Sequence, residues 1–436
     1  MLIRDTLRFI KHQSTSRIIV LSFFLSIIFG SVLLYLPISH AVKLSYLDAL
    51  FLSVSSICVT GLSSIDIVPT LTAFGKTVLI LLVQIGGLGV MVIGSAIIIA
   101  IGKKVDFKSR SILKDALNLD VNKGIVNFVK DIVFMVLTIE GLGALVNFVV
   151  FAEYYPFSKA LLYAVFHSVS SFNNAGFTIF SDSESLIKFH SSLLLNINTS
   201  LLIILGGLGF LVIKELFLKH FSFKKLSMHS KVVSVMTLSL IVIGTVVIKL
   251  TTPSLSILEA FFMSVSSRTA GFNSIGMTSL SVSTLLIIMI LMFIGASPGS
   301  TGGGIKTTTL FTLYVGVKST ALEKSEKAFK YSVPKDAFRR ASIITFISLN
   351  LIVGGTFLLT IFEKDIRFIE ALFEVISAFG TVGLSLDITP SLNAGSKVLL
   401  MILMFVGRVG TLSVMSLWNF RKTERVLYPE GNIMIG

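Results

Sequence analysis

Charge is scarce in this sequence, and cysteine scarcer still. Only 14% of the 436 residues are charged, against about 25% in soluble domains. So little charge cannot cover a soluble globule. With 53% hydrophobic residues and a mean hydropathy of +0.91, the chain reads as an integral membrane protein. The single cysteine, Cys58, excludes an internal disulfide framework and a cysteine-rich metal site. The six histidines are scattered and form no metal-ligand spacing. No His, Asp or Glu cluster stands at a membrane boundary with catalytic spacing, which argues against a membrane-embedded enzyme such as a lipid-modifying transferase.

The apolar runs are long and continuous instead of alternating, which favours helices over a membrane barrel. The net charge of +14 invites a nucleic-acid reading. The basic residues, however, sit in short loops between apolar spans, and no basic stripe interleaves with aromatics. Positive charge gathered on one side of a membrane accounts for them, so no nucleic-acid partner is expected. Arg4, Arg8, Lys11 and Arg17 precede the first apolar run in the manner of a signal peptide. That run, Ile18 to Leu36, is long enough to span and lacks a convincing cleavage pattern, so it reads as a span.

What the chain does have is a fourfold internal repeat. Phe262 to Gly271 (FMSVSSRTAG) recurs in variant form at Phe51–Gly61, Phe166–Gly176 and Phe373–Gly383. Each copy is a short apolar segment running into one glycine. These half-segments, Leu47–Ile57, Ala160–Phe172, Leu255–Ser267 and Phe368–Phe379, are too short to cross a hydrocarbon core of about 30 Å. They fit re-entrant helices, which are tolerated at membrane depth only when buried in protein or lining water. A full span flanks each on either side, giving eight spans.

Four units result: 1–102, 103–218, 219–317 and 318–436. Two spans per unit make the copies parallel, related by an axis along the membrane normal. The expected fold is an all-α integral membrane protein, with four parallel span–pore-helix–span repeats around a quasi-fourfold pore. The basic linkers and both termini fall on one side, expected to be the cytoplasm. The loops around Asp66, Asp182 to Glu184 and Asp387 would face outside. The charged stretch Lys103–Lys123 reads as a solvent-side linker.

A ring of backbone carbonyls can replace the hydration shell of a cation. Turning successive carbonyls one way needs backbone angles that glycine adopts freely. One glycine of this kind would be read as a packing residue, but four at matching places are not. The candidate ion-binding carbonyls lie at and just before each glycine. They are Val59, Thr60 and Gly61; Asn174, Ala175 and Gly176; Thr269, Ala270 and Gly271; Thr381, Val382 and Gly383. The half-helices aim their partially negative C-termini at this ring, which favours a cation.

Two anomalies mark a candidate gate. Arg408 reads as mid-span, where a charge needs a partner or water. Gly87, Gly207 and Ala296 hold its place in the other copies. It would act as an electrostatic plug on the cytoplasmic side of the ring; the plainer role is a tie to a backbone carbonyl. The second anomaly is the glycine-rich run at 295–309, GASPGSTGGGIKTTT, with Pro298, Gly299, Gly302, Gly303, Gly304 and Lys306. Ile305 interrupts any phosphate-loop spacing and no strand precedes it. The run reads as a flexible segment lying across the pore and facing Arg408, with a passive kink as the simpler alternative. Cys58 reads as an apolar packer; Glu140 and Gln84 are candidate ion-pathway residues, with the plainer role of polar groups satisfied by neighbouring helices.

Four span–pore–span units with one filter glycine each, the break at Gly299–Lys306 and Arg408 together resemble the Trk/Ktr/HKT superfamily of potassium transporters. Ser267–Asn273 (SRTAGFN) and Asn173–Phe177 (NNAGF) carry the resemblance most specifically. The absence of extra N-terminal spans and the C-terminus Tyr428–Gly436 are similar to the membrane subunit of the bacterial Ktr type. The resemblance implies potassium uptake across a bacterial plasma membrane, with K+ as the transported ion and Na+ as a candidate activator. It also implies a homodimer in the lipid bilayer, each protomer with its own pore, on a cytosolic regulatory ring that binds ATP or ADP. Gly61 implies preference for potassium, since a serine there accompanies sodium preference in plant relatives. The alternative is a symporter of the same fold coupling potassium to sodium or protons.

Overall fold

The computed structural model describes residues 15–101, 105, 107–117, 124–180, 185–334 and 336–415. The acidic run at 182–184 and the C-terminal tail lie outside the described residues. Within them the regular elements are helices, apart from one short hairpin.

Repeat 1 contains α1 (Thr15–Tyr35), the re-entrant α2 (Tyr46–Ile57), and α3 (Ala73–Leu88) followed by α4 (Val90–Ala100). A linker helix, α5 (Phe107–Ala116), follows. Repeat 2 contains α6 (Ile125–Phe151), the re-entrant α7 (Phe157–Phe172), and α8 (Leu193–Leu208) with α9 (Phe210–Leu218). Repeat 3 contains α10 (Met228–Thr251), the re-entrant α11 (Ile257–Ser266), and α12 (Val282–Phe293) separated by a loop from α13 (Thr307–Ala321). Strands β1 (Lys327–Ala328) and β2 (Tyr331–Ser332) pair as an antiparallel hairpin. Repeat 4 contains α14 (Ala337–Phe362), the re-entrant α15 (Phe368–Gly380), and α16 (Ala394–Val409) with α17 (Thr411–Met415).

The first helix of each repeat is long and apolar enough to cross a membrane. These helices turn large apolar side chains outward: Phe29 is 66% exposed, Phe134 76%, Leu238 64% and Phe346 68%. Apolar exposure on this scale marks a lipid-facing surface. The re-entrant helices are the opposite. Phe51, Phe262 and Phe373, at matching places, are fully buried. The four repeats therefore pack their short helices inward and their long first helices outward.

Each second helix starts on a side-chain cap. Thr72, Ser192, Ser281 and Asn393 accept the backbone N–H groups of Gly75, Leu195, Thr284 and Ser396. These helices do not continue as the full spans that the sequence suggested. α3 and α4 meet at 99°, and α8 and α9 at 103°. The break falls on Gly89 (φ 89°, ψ 131°) and Gly209 (95°, 141°), and Gly410 adopts the same angles in repeat 4 (94°, 135°). An L-residue rarely takes this conformation, so glycine sets the corner. Among the described residues four helices could cross a membrane singly, or six spans if each bent pair counts as one.

Two further expectations change. The linker after repeat 1 holds the helix α5, whose Ile112 and Leu113, with Leu117 just beyond it, are buried. Leu113 and Leu117 pack with Val105 and Val129. Its charged residues hide a short apolar face. The hairpin β1–β2 is likewise not loop alone: Ala328 and Val333 pack against Val315 of α13.

Candidate functional site

The four re-entrant helices end in the same turn. Val59, Asn174, Thr269 and Thr381, two residues before each glycine, have φ of 57°, 59°, 76° and 51°. The glycines Gly61, Gly176, Gly271 and Gly383 have φ of 94°, 69°, 76° and 92°. The residues between them keep negative φ. In a uniform extended segment successive carbonyls alternate sides, whereas alternating the sign of φ lets them face one way. A left-handed non-glycine residue costs about 1–3 kcal/mol, so the surroundings must hold the turn. The N–H groups of Thr60, Ala175 and Val382 donate to the carbonyls of Ser55, Ser170 and Ser377 at 2.7, 2.8 and 2.9 Å. The Ser55 and Ser377 hydroxyls accept the N–H groups of Gly61 and Gly383, each at 3.1 Å. Repeat 3 is one residue shorter here, and the Ser266 carbonyl accepts from both Ala270 (3.0 Å) and Gly271 (3.2 Å).

The four turns close on one another. A Cβ on Gly61 would lie 2.4 Å from the Ala175 carbonyl oxygen, and one on Gly176 2.7 Å from that of Ala270. One on Gly271 would lie 2.2 Å from Val382 O, and one on Gly383 2.1 Å from Thr60 O. Every contact goes to the residue just before the next repeat's glycine. The order runs from repeat 1 to 2, 3, 4 and back to 1. This is a ring, and it leaves no room for any side chain at its four glycines.

On one side of the ring is a vestibule of about 560 Å³. All four ring glycines line it, with the carboxylates Asp66 and Asp387 at its wall. Acidic groups at such a mouth raise the local concentration of cations.

The glycine-rich loop lies on the other side. Its base is a parallel bridge between Ile294 and Ile305. Ser297 and Thr307 join their hydroxyls at 2.9 Å. Its tip presses on the ring. The backbone at Gly302 packs against the Thr269 hydroxyl, where a Cβ would come within 2.3 Å. The Gly303 N–H donates to the Thr381 hydroxyl at 3.0 Å. Repeat 2 holds the flank: Ser297 N–H donates to Gly207 O at 3.0 Å, Thr301 N–H to Gly206 O at 3.2 Å, and Phe210 N–H to Gly299 O at 3.0 Å. Pro298 sits here too, its carbonyl oxygen 2.7 Å from where a Cβ on Gly209 would be. Gly304 (φ 68°) backs onto Gly295. Lys306 folds onto its own loop, donating to the Gly302 carbonyl at 2.8 Å and that of Gly303 at 3.3 Å.

Arg408 ties the loop to repeat 1. Its guanidinium donates to the carbonyl oxygens of Thr301 and Gly86, and to that of Gly87 at 3.2 Å. No carboxylate lies within ion-pair distance among the described residues. The arginine is not mid-span, as its distance from the nearest polar residues suggested, but in the last turn of α16, two residues before the Gly410 corner. A cation there also meets the negative end of the helix dipole. A second cavity of about 310 Å³ opens beyond it, lined among others by Gly299, Lys306, Arg408 and Gly410. Vestibule, carbonyl ring, loop with Arg408, and second cavity thus follow one another in that order.

Beside the ring is a polar cluster in which the singled-out Glu140 and Gln84 meet at Asn173, a junction sequence reasoning did not find. Asn173 donates to Gln84 at 2.8 Å and to Glu140 at 2.9 Å, and Gln84 donates to Glu140 at 3.1 Å. Comparing the repeats position by position sets Glu140 and Gln84 apart, because each breaks an otherwise apolar column. Cys58 is fully buried against the end of repeat 1's filter.

A helical membrane protein built around a closed ring of glycine–carbonyl contacts is a class associated with cation passage. Residues 5–422 match the family TrkH, described as cation transport protein. The chain belongs to that family. It is 36% identical to Ktr system potassium uptake protein B of Bacillus subtilis over 434 residues, 96% of each chain. It is 35% identical to Ktr system potassium uptake protein D of the same organism, covering 98% of this chain and 99% of that one. It is also 35% identical to potassium/sodium uptake protein NtpJ of Enterococcus hirae, covering 98% of both. In fold it matches the potassium transporter TrkH of Vibrio parahaemolyticus with a TM-score of 0.74 at 20% identity, over 94% of this chain and 86% of that one.

Proposed function

We propose that the chain is the ion-translocating subunit of a Ktr-type potassium uptake system, passing K+ inward through a gated pore. The observation that carries this reading is the closed cycle of glycine–carbonyl contacts, with a cation-holding loop directly behind it. K+ gathers in the acidic vestibule, sheds water, and is held by the carbonyls at and before Gly61, Gly176, Gly271 and Gly383. The loop at 295–309 and Arg408 bar the way to the second cavity. Passage needs the loop to leave Thr381 and Arg408. The vestibule faces outside and the second cavity faces the cytoplasm, because the basic linkers lie on the latter side.

The two Bacillus subtilis relatives are named as parts of a Ktr system. That supports a cytosolic regulatory partner, read here as a ring that binds ATP or ADP and moves the loop beneath a homodimer in the plasma membrane. The Enterococcus hirae relative is named for both potassium and sodium. It favours a second reading, in which Na+ activates or is coupled to K+ uptake. Rubidium uptake into liposomes holding the purified protein tests the proposal, with K+ and Na+ as competitors. Uptake driven by a negative interior and blocked far better by K+ than by Na+ is the expected result. Uptake that requires a Na+ or proton gradient would replace the pore with a symporter. Equal block by K+ and Na+ would sink the filter.

A further inference from the structure

Superposing the repeats on their own contacts isolates one asymmetric quadrant. In three copies a serine of the re-entrant helix donates to a carbonyl of the first helix. These are Ser53 to Ile27 O (2.7 Å), Ser168 to Glu140 O (2.6 Å) and Ser264 to Ile241 O (2.9 Å). Three residues on, Gly30, Gly143 and Gly244 make room for those serines. In repeat 4 Gly355 makes room for Val375, so the matching residue is Ile352. The column reads Ile27, Glu140, Ile241, Ile352. The second helices give another column, two residues before Gly86, Gly206, Gly295 and Gly407: Gln84, Ile204, Phe293, Phe405. The position three before each filter glycine reads Cys58, Asn173, Arg268, Gly380.

The two polar exceptions, Glu140 and Gln84, come from different repeats, yet they meet at Asn173. Glu140 lies near the middle of α6 and is 6% exposed. Its carboxylate oxygens each accept one amide: Oε1 from Asn173 at 2.9 Å and Oε2 from Gln84 at 3.1 Å. Gln84 in turn accepts from Asn173 at 2.8 Å. Among the described residues no Lys or Arg stands within ion-pair distance of this carboxylate. Asn173 also fills the space over Gly87, where a Cβ would come within 1.9 Å of its Oδ1. Gly87 is the place that Arg408 occupies in repeat 4. Asn173 is bonded to Asn174, the left-handed residue that opens the second filter strand.

We propose that Glu140 is a positioning residue for ion discrimination. It fixes the Asn173 amide, and through it the strand Asn174–Ala175–Gly176, in the quadrant where the loop reaches the re-entrant helix only at Phe172, whose carbonyl accepts from Thr301 at 3.3 Å. An isoleucine would pack at this site but leave the Gln84 amide without its acceptor in a dry interior, so that Gln84 turns elsewhere and Asn173 keeps only the Val169 carbonyl at 2.8 Å. This rests on reading the carbonyl ring as the ion filter.

The test is the competition assay on purified protein, comparing E140I, E140Q, N173A and the double variant E140I/N173A. Block of rubidium uptake by K+ relative to Na+ is the readout, because a merely structural role would lower total flux and leave that ratio alone. E140I and N173A should each lower the ratio several-fold, and the double variant should be no worse than either. E140Q keeps one acceptor and should fall between. If E140I does not yield a monodisperse protein, E140Q and N173A give the same ordering. A wild-type ratio retained by E140Q and N173A overturns the proposal, as do losses that add up in the double variant. A wild-type protein blocked equally by both ions would instead overturn the filter reading itself.

Discussion

Replacing Arg408 with alanine should raise the basal ion flux by one to two orders of magnitude. The size follows from how the guanidinium spends its donors. Gly86 and Gly87 belong to the end of α3, so those bonds persist whatever the loop does. Only the bond to the Thr301 carbonyl joins Arg408 to the loop and must break when the loop leaves. A hydrogen bond from a charged group is worth about 1.5–3 kcal/mol net. At about 1.4 kcal/mol per factor of ten, losing it lowers the ratio of closed to open protein by about 10- to 150-fold. With the closed form dominant, flux climbs by the same factor. The assay is radioactive rubidium uptake into liposomes at a fixed inside-negative potential, normalised to monodisperse protein. R408K keeps the charge without the planar fork and should lie between alanine and arginine. Flux in R408A equal to that of the unaltered protein would refute the reasoning, because the loop would then be held closed by contacts in which Arg408 takes no part.

Three further outcomes follow from the same geometry. G383A places a Cβ 2.1 Å from Thr60 O at a φ of 92°, so the ring must open; Na+ should then compete with rubidium nearly as well as K+, and an unchanged competition profile would remove Gly383 from the filter. T381V leaves the buried Gly303 N–H without its acceptor, a loss of about 1–3 kcal/mol to the closed form, and rubidium flux in the same liposome assay should rise. D48N weakens the bond from Lys397 of α16 to Asp48 of α2 at 2.8 Å, which ties repeat 4 to repeat 1. At about 1.5–3 kcal/mol it should lower the thermal midpoint by a few degrees, and the swap D48K/K397D should recover part of the loss.

The repeats and their re-entrant helices were legible because the copies share a segment that is apolar, short and stopped by glycine. The observed helices Tyr46–Ile57, Phe157–Phe172, Ile257–Ser266 and Phe368–Gly380 lie within a few residues of the expected ranges. The corners at Gly89 and Gly209 were not legible. Apolar residues flank both sides of each bend, so hydropathy runs through it unbroken and one backbone angle carries the whole change of direction. For the same reason Arg408 looked mid-span: distance along the sequence to polar residues says nothing about a helix that ends at Gly410. The loop at 295–309 announced itself by composition, but its partners did not. Gly206, Gly207 and Thr381 lie about 75 to 100 residues away and become neighbours only when the ring closes. Glu140 was read as satisfied by neighbouring helices, and Gln84 and Asn173 supply that satisfaction. Its relation to the filter needed contacts 33 and 56 residues apart.

The loop between α12 and α13 exists in one quarter of the ring, and so does the arginine that holds it. A pore assembled from four identical subunits could not be arranged this way. Any residue facing its axis would occur four times, and four guanidinium groups crowded there would repel one another as strongly as they would the ion. Joining the copies in a single polypeptide frees each from the rotational symmetry that governs homo-oligomers. One copy can then specialise as the moving part while the other three stay rigid. On the gating proposed above, opening would be the displacement of a single segment, with no need for four subunits to act in concert, and a partner protein would have only one element to grip.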